Sequence, residues 1–169
     1  MDPANWSAVA RLAATLRTVE ERLHEISTVE SARHLAAGRG GPTTKIHALV
    51  DALGNPVRLT LTEGQVHDVT QAALLLESIH DANVLGDKGY DSKALTDDLE
   101  SRRCIAVIPS RNCCTIQRKI DLHLYKERFL VECFFQKIKR HRRIAMRFEK
   151  LAAHFLAMVS LAAILIWTL

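Results

Sequence analysis

Residues 43–63 read TTKIHALVDALGNPVRLTLTE, which is the pattern of a β-hairpin. Apolar and polar residues alternate throughout Val57–Glu63, the second strand, and less regularly in Thr43–Asp51, the first. Between the two strands, Gly54-Asn55-Pro56 has the composition of a turn. We therefore expect two neighbouring antiparallel strands in this part of the chain.

Helices and strands alternate after this hairpin. Asp68 is a candidate N-cap of a helix that the spacing of apolar residues extends to about His80. The elements predicted next are the strand Asn83–Gly86, the helix Ser92–Ser101, the strand Cys104–Ile108, the helix Leu124–Arg140 and the helix Glu149–Leu169. This order predicts an α/β fold in which a mixed sheet is flanked by helices.

The pattern before the hairpin is weaker. Apolar residues recur every three or four positions in Trp6–Ile26, which predicts an amphipathic N-terminal helix. Ser27–Ala37 has no clear pattern, and Arg39–Pro42 is a glycine-rich break.

The composition is that of one globular domain, because 48% of the 169 residues are hydrophobic and 25% are charged. The four cysteines form no CxxC pair, which disfavours a disulfide framework and favours a reducing, cytoplasmic location. We find no signal-peptide pattern at the N-terminus. Phe155–Leu169 is strongly apolar but shorter than the ~18–20 residues that a membrane span needs, so we expect a buried terminal helix and no membrane partner.

Positive charge is concentrated in one segment. Residues 118–150 contain eleven Lys or Arg and four Asp or Glu, whereas the rest of the chain contains twelve and fifteen. A basic segment beside an acidic remainder is typical of a protein that binds a polyanion, usually nucleic acid. The alternative is a solvated helix face without a partner.

Asp87 is the first candidate functional residue, because it directly follows a short apolar strand. Functional groups gather at the carboxyl ends of strands in open α/β sheets. Gly86 and Gly89 flank it and allow a sharp turn or the close approach of a ligand. Asp87 could instead cap the next helix, but Asp91 is better placed for that role.

A polar stripe on the long helix is the second candidate. The spacing of Tyr125, Arg128, Glu132 and Lys139 places them on one narrow face, beside a separate apolar face. The alternative is an ordinary salt-bridge face, since an Arg128–Glu132 pair stabilises a helix by a few tenths of a kcal/mol.

The two carboxylates, Asp87 and Glu132, could together hold Mg²⁺, which takes oxygen ligands. Two such ions can drive phosphodiester chemistry, and a third carboxylate normally bridges them. Zinc is a weaker alternative, because the cysteines and His123 do not have the spacing of a zinc finger.

Four ordered blocks resemble the DDE-type transposases of bacterial insertion sequences. The spacing Tyr125-x2-Arg128-x3-Glu132-x6-Lys139 resembles their Tyr–Arg–Glu–Lys signature. The block LGDKGYDS (residues 85–92) is similar to the one that carries their second catalytic aspartate, and RGGPTTKIHALVD (39–51) and LTEGQVHD (61–68) resemble their hairpin region. The resemblance covers roughly residues 27–169.

This resemblance implies a ribonuclease-H-like fold and metal-dependent cleavage and strand transfer of DNA at the ends of the element. Asp87 and Glu132 would be the second and third catalytic carboxylates and would bind Mg²⁺ or Mn²⁺. Tyr125, Arg128 and Lys139 would contact DNA or position the glutamate. Arg140, Arg142 and Arg143 of the basic segment are further candidate DNA-binding residues. The partners implied are double-stranded DNA, at the element ends and the target, and further copies of the chain in a synaptic complex.

The chain departs from the family at the first catalytic aspartate, whose position is occupied by Ile26. Glu25 lies one residue away, and a slip of one residue on a strand reverses the face. Glu30 restores the face but moves the carboxylate by ~13 Å. We also expect residues 1–26 to be a remnant of, or link to, a DNA-binding region, and residues 27–169 to be the catalytic domain.

Three functions remain open at this point. The first is an active or decayed transposase domain, and the second is a DNA-binding remnant without catalysis. The third is an unrelated basic helical module with a membrane-seeking tail. Metal-dependent cleavage separates the first from the second, and lipid binding without DNA binding would indicate the third.

Overall fold

A central five-stranded mixed sheet organises the molecule. The computed structural model describes residues 26–34, 44–112, 114 and 116–168. The strands are β1 (Ile26–His34), β2 (Thr44–Val50), β3 (Pro56–Glu63), β4 (Asn83–Gly86) and β5 (Ile105–Val107), in the spatial order β3-β2-β1-β4-β5. β1 is antiparallel to β2, β2 is antiparallel to β3, and β1, β4 and β5 run parallel.

Six α-helices are present in the described residues. They are α1 (Val69–Leu75), α2 (Lys93–Ser101), α3 (Leu122–Lys126), α4 (Phe129–Lys139), α5 (Arg142–Ala145) and α6 (Ala152–Thr168). A short 3-10 helix, Lys88–Tyr90, follows β4. The prediction of a mixed α/β sheet with helices is therefore confirmed.

Each face of the sheet has its own core. Ile46, Ala48 and Val50 of β2 pack with α4, α5 and α6 on one face. On the other face, Val29 and Leu49 pack with α1 and α2. Apolar side chains thus cover both faces of β2. All seven of its residues are buried, as expected for a central strand.

The hairpin prediction is confirmed by β2 and β3. Gly54 in the turn has φ +79°, a conformation that side chains other than glycine rarely adopt. A Cβ there would also lie 3.4 Å from the carbonyl oxygen of Leu130, at the start of α4. Asp51 fixes the turn by accepting hydrogen bonds from the backbone N–H groups of Leu53 and Asn55 at 2.8 and 2.9 Å.

The single long helix predicted for Leu124–Arg140 is wrong, because the chain forms α3 and α4 instead. The side chain of Asp121 caps α3 by accepting from the N–H groups of His123 and Leu124. At the junction, the N–H of Arg128 bonds the carbonyl oxygen of Tyr125, three residues back. Such tighter hydrogen bonds interrupt the regular α-helical pattern.

Other element ends also differ from the prediction. α1 ends at Leu75, short of His80, and α6 begins at Ala152 rather than Glu149. The terminal helix is partly buried as predicted, since Phe155, Val159, Ala162 and Ala163 lie in the core.

The predicted N-terminal helix lies outside the described residues except for its last residue. Ile26 begins β1, so the helix prediction is wrong at that residue. Residues 27–34, for which the sequence showed no clear pattern, also belong to β1. The division of the chain at residues 26 and 27 remains a prediction.

Candidate active site

Asp87 lies in the turn that follows β4. Its Oδ1 accepts a hydrogen bond of 2.8 Å from the N–H of Gly89 and so caps the 3-10 helix Lys88–Tyr90. The prediction that Asp91 caps the next helix is wrong, because the N-cap of the helix Lys93–Ser101 is Ser92. Asp91 binds Arg111 and Arg118 instead. Among the described residues, Oδ2 of Asp87 has no hydrogen-bond donor, so one oxygen of this carboxylate is available to a ligand.

Of the two glycines around Asp87, Gly89 is the more closely packed. A Cβ on Gly89 would lie 2.9 Å from Oδ1 of Asp87, closer than real Cβ contacts come. A side chain at this position would therefore displace the carboxylate of Asp87. A Cβ on Gly86 would lie 3.4 Å from the Cβ of Tyr90 and 3.5 Å from Ile108, which is ordinary contact.

A buried ion pair lies beneath this turn. Nζ of Lys45 is 2.7 Å from Oδ1 of Asp68 and donates a second hydrogen bond of 2.6 Å to the carbonyl oxygen of Val66. The other oxygen of Asp68 is 3.7 Å from the position of a Gly89 Cβ. The side chain of Lys45 is only 4% exposed and that of Asp68 is 25% exposed, so the cation is buried and the carboxylate partly reaches water.

Sequence reasoning missed this ion pair and assigned Asp68 to capping alone. Asp68 does occupy the N-cap position of α1, but its side chain makes no capping hydrogen bond. The available signal was the presence of Lys45 and His47 two residues apart in a buried strand, which places both on one face.

His47 belongs to the same buried layer. Its Nε2 lies 2.7 Å from Oγ1 of Thr62, and the two share a hydrogen bond. Burial lowers the pKa of His47, the nearby carboxylate of Asp68 opposes this shift, and Lys45 adds to it. Histidine in this position is therefore held mainly in its neutral form.

Glu132 is on the first turn of α4, and three of the four stripe residues are in contact there. Nη2 of Arg128 is 2.6 Å from Oε1 of Glu132, and the Arg128 guanidinium lies 5.8 Å from the centre of the Tyr125 ring. These contacts are present although the helix is interrupted, because Arg128 lies at the junction of α3 and α4. Lys139 is seven residues beyond Glu132, which is about 10 Å along the helix.

The structural alternative proposed for this stripe, an ordinary salt bridge, is thus present. It leaves the second oxygen of Glu132 without a protein donor among the described residues, and the side chain of Glu132 is 48% exposed. A carboxylate with one oxygen oriented by arginine and one open oxygen can still accept a cation.

Comparison with known proteins identifies the family. The model of the transposase DDE domain matches residues 14–167. The chain belongs to the DDE transposase family.

Two curated relatives are named as transposases of insertion sequences. The chain is 42% identical over 130 residues to a protein of Brucella ovis named for insertion sequence element IS6501, a match that covers 74% of this chain and 98% of the relative. It is 31% identical over 126 residues to a protein of Burkholderia cepacia named for IS402. That match covers 68% of this chain and 57% of the relative, so the chain spans little more than half of the second protein.

One solved structure shares the fold. A chain of the simian T-cell lymphotropic virus intasome, determined by cryo-electron microscopy in complex with the PP2A regulatory subunit B56 gamma, superposes with a TM-score of 0.52. The identity is 11%, and the match covers 83% of this chain and 47% of the other.

The basic segment of this DDE transposase is exposed around the end of α4. Lys139, Arg140, Arg142 and Arg143 all lie at the surface. Arg143 pairs with Glu149 at 3.3 Å, and Arg142 stacks 5.8 Å from the centre of the Phe148 ring. In the part of the chain that the structure describes, Lys139 and Arg140 have no carboxylate partner, so their charges are available to an anion.

The carboxylates of Asp87 and Glu132 suit a divalent metal ion by their donor chemistry. Members of the DDE transposase family generally use divalent metal ions. Asp87 and Glu132 offer the oxygen atoms that Mg²⁺ and Mn²⁺ prefer. No group of three His, Cys, Asp or Glu side chains within the described residues could hold a metal ion, so these two carboxylates fit the chemistry but do not complete a cage.

The register of β1 locates the remaining candidates of the transposase. Ile26 is the Cα partner of Asn83, at the far end of β4 from Asp87. Val29 is the partner of Gly86, so Glu30 and Asp87 each come one residue after the last paired position. Glu25 lies outside the described residues.

No helix in the described part of the chain is both long and apolar enough to cross a membrane.

Proposed function

We propose that this chain is the catalytic part of an insertion-sequence transposase, which cleaves DNA at the element ends and transfers the cut strands with Mg²⁺ or Mn²⁺. The observation that carries the proposal is the open Oδ2 of Asp87 at the carboxyl end of β4, in a turn where the N–H of Gly89 holds the other oxygen. A bound metal pair would activate the attacking oxygen and stabilise the leaving one.

The sheet supports a ribonuclease-H-like fold. Its order, β3-β2-β1-β4-β5, combines an antiparallel meander with two parallel strands on one side. The intasome chain with a TM-score of 0.52 supports the same general fold. This arrangement would place β1 and β4 side by side, with α4 packed against β1.

Each residue of the site has a proposed role. Asp87 and Glu132 would be the metal ligands, with Gly89 fixing one oxygen of Asp87 and Arg128 fixing one oxygen of Glu132. Tyr125 would support the guanidinium of Arg128 through its ring. The side chains would thus be oriented before the metal arrives, which is a condition for efficient catalysis.

Double-stranded DNA is the proposed partner of the basic segment. Lys139, Arg140, Arg142 and Arg143 would contact phosphates, which fix the position of a protein on DNA without reading its sequence. We also propose that two or more copies assemble on the element ends, and that the protein works in the cytoplasm.

The proposed third carboxylate is Glu30. The pairing of Val29 with Gly86 puts positions 30 and 87 at the same level of two neighbouring strands. Val29 is buried with α1 and α2, so strand alternation assigns position 30 to the face of α4. Position 30 lies ~13 Å along β1 from position 26, and its backbone is level with position 87.

The first test is nicking of supercoiled DNA with Mn²⁺ or Mg²⁺. We expect the parent to nick, and Asp87→Ala and Glu132→Gln each to lower the rate at least about 100-fold, because a lost metal ligand removes several kcal/mol of transition-state stabilisation. Asp97→Asn, an exposed carboxylate on α2, is the matched control and should nick at the parent rate. Parent rates in both ligand variants would contradict the proposal.

A second set of variants decides which residue completes the site. We expect Glu30→Gln to lose nicking while it keeps its affinity for DNA. A parent that is silent but gains activity in Ile26→Asp would assign the role to position 26 and contradict Glu30.

A DNA-binding remnant without catalysis is the second candidate function. It is favoured by the lack of a three-ligand group among the described residues. Silence of the parent and of Ile26→Asp, together with salt-dependent binding of DNA that needs no metal, would support it.

A further inference from the structure

Near the candidate site, the carboxylate of Asp91 accepts hydrogen bonds at both of its oxygen atoms. Its side chain is only 10% exposed. Oδ2 accepts a hydrogen bond of 2.8 Å from the backbone N–H of Arg111, and Oδ1 lies 3.3 Å from Nη2 of Arg118. Both donors come from the segment that follows β5, so one aspartate joins two loops.

The same segment also holds the turn between Asp87 and Asp91 through its backbone. The guanidinium of Arg111 donates to the carbonyl oxygens of Lys88 and Gly89, both at 3.4 Å. Nζ of Lys88 in turn donates to Oδ1 of Asn112 at 2.8 Å. Each of the three residues after Asp87 is therefore tied to the segment after β5 or packed beside it.

Arg118 closes the arrangement at the other end of that segment. Its Nη1 donates to the carbonyl oxygen of Ile108 at 2.7 Å, and its backbone N–H donates to the buried hydroxyl of Ser110 at 2.9 Å. Ile108 itself lies beside Gly86, where an added Cβ would be 3.5 Å from the Ile108 side chain. Asp91 thus holds a loop in which Arg118 is hydrogen-bonded back to Ile108 and Ser110, directly after β5.

We propose that Asp91 is a positioning residue that fixes the carboxylate of Asp87 for metal binding by tying Arg111 and Arg118 to the turn 87–91. The hydrogen bond from Gly89 to Asp87 fixes the direction of the carboxylate only while the backbone of the turn stays in place. Asp91, through Arg111 and Arg118, keeps it there. The inference rests on the proposed metal role of Asp87, and it adds a residue that does not touch the metal.

The test compares Asp91→Asn with Asp97→Asn, which makes the same change at an exposed site of α2. We expect Asp91→Asn to weaken the binding of Mn²⁺ about tenfold, measured from the free-ion signal in electron paramagnetic resonance, because loss of an orienting partner typically costs 10- to 100-fold. Hydrogen exchange at residues 88–90 of the metal-free protein should rise in Asp91→Asn and stay at the parent level in Asp97→Asn. Arg118→Gln should change both quantities in the same direction, and it guards against a folding failure of the first variant.

A purely structural role would give a different result. Asp91→Asn would then unfold at lower temperature with unchanged Mn²⁺ affinity, and that outcome overturns the proposal. Unchanged exchange at residues 88–90 overturns it too, and so does a parent that binds no Mn²⁺. A parent that binds Mn²⁺ but cuts no DNA would contradict the proposed function and leave the positioning role supported by the binding and exchange data.

Discussion

The carboxylates of Asp87 and Glu132 are held in opposite ways. Asp87 sits in a turn that rests on the buried pair of Lys45 and Asp68 and is tied to the loop after β5. Glu132 lies on a half-exposed helix face, where Arg128 orients it. The exposed cations Lys139 and Arg140 lie at the end of α4. Contacts with the rest of the fold therefore hold the turn of the first carboxylate, and solvent-screened charges surround the second.

Different measurements therefore respond to substitutions near Asp87 and to substitutions near Glu132. Substitutions beneath the turn should act on folding stability, because buried charges that lose a partner are costly. Substitutions along α4 should act on DNA affinity and its salt dependence, since exposed ion pairs contribute little to stability.

The largest effect on stability is expected for Asp68→Ala. It leaves Lys45, 4% exposed, with a buried charge and only the carbonyl oxygen of Val66 as a partner. We expect the free energy of unfolding to fall by about 3 kcal/mol, measured by urea titration. Glu132→Gln breaks the exposed pair with Arg128 and should cost under about 1 kcal/mol.

The double variant Lys45→Met/Asp68→Leu tests whether the loss in Asp68→Ala comes from the unpaired charge of Lys45. It replaces the pair by apolar side chains and should recover most of the lost stability, because apolar replacements of a buried pair are often neutral or better. A cost of Asp68→Ala no greater than that of Glu132→Gln would refute the distinction between the two sides.

An intermediate effect is expected on the α4 side, where Lys139 and Arg140 have no carboxylate partner among the described residues. Lys139→Ala and Arg140→Ala should each reduce the slope of log affinity against log salt concentration by about one, because each removes one phosphate contact. Fluorescence anisotropy with labelled duplex DNA at several salt concentrations measures this slope.

Lys93→Ala, an exposed lysine on α2, is the control for charge alone. An equal loss of slope in Lys93→Ala would mean that DNA contacts are not confined to the basic segment. Unfolding free energies of all three variants should stay within about 0.5 kcal/mol of the parent, as is usual for exposed sites.

The comparison also shows what sequence patterns could and could not supply. The hairpin β2–β3 and the strand β4 were predictable, because alternation and turn residues are local signals. The ion pair of Lys45 and Asp68 was not, since it joins residues 23 positions apart whose partners depend on the sheet register.

The break between α3 and α4 was equally hidden. No glycine or proline marks residues 127–128, and the stripe from Tyr125 to Glu132 follows helical spacing across it. Asp87 was predicted as a candidate from its place after a strand, but the bonds of Asp91 to Arg111 and Arg118 depend on two loops meeting in space. Local pattern thus indicates where a candidate carboxylate lies along the chain, and tertiary contacts determine how its turn is held.

The smallest expected effect is a pH dependence of stability on the buried side. Burial lowers the pKa of His47 below its usual 6.5, so the unfolded chain binds a proton more readily than the folded chain does. The contribution of His47 to stability is therefore complete above about pH 6.5 and declines as the pH falls from there through the lower pKa of the folded state. Urea titrations between pH 7.5 and 5 should show this decline, and His47→Gln should flatten it. His67→Gln, at an exposed histidine, should leave the profile as in the parent. A decline of equal size in the parent and in His47→Gln would assign the pH dependence to other groups and contradict this prediction.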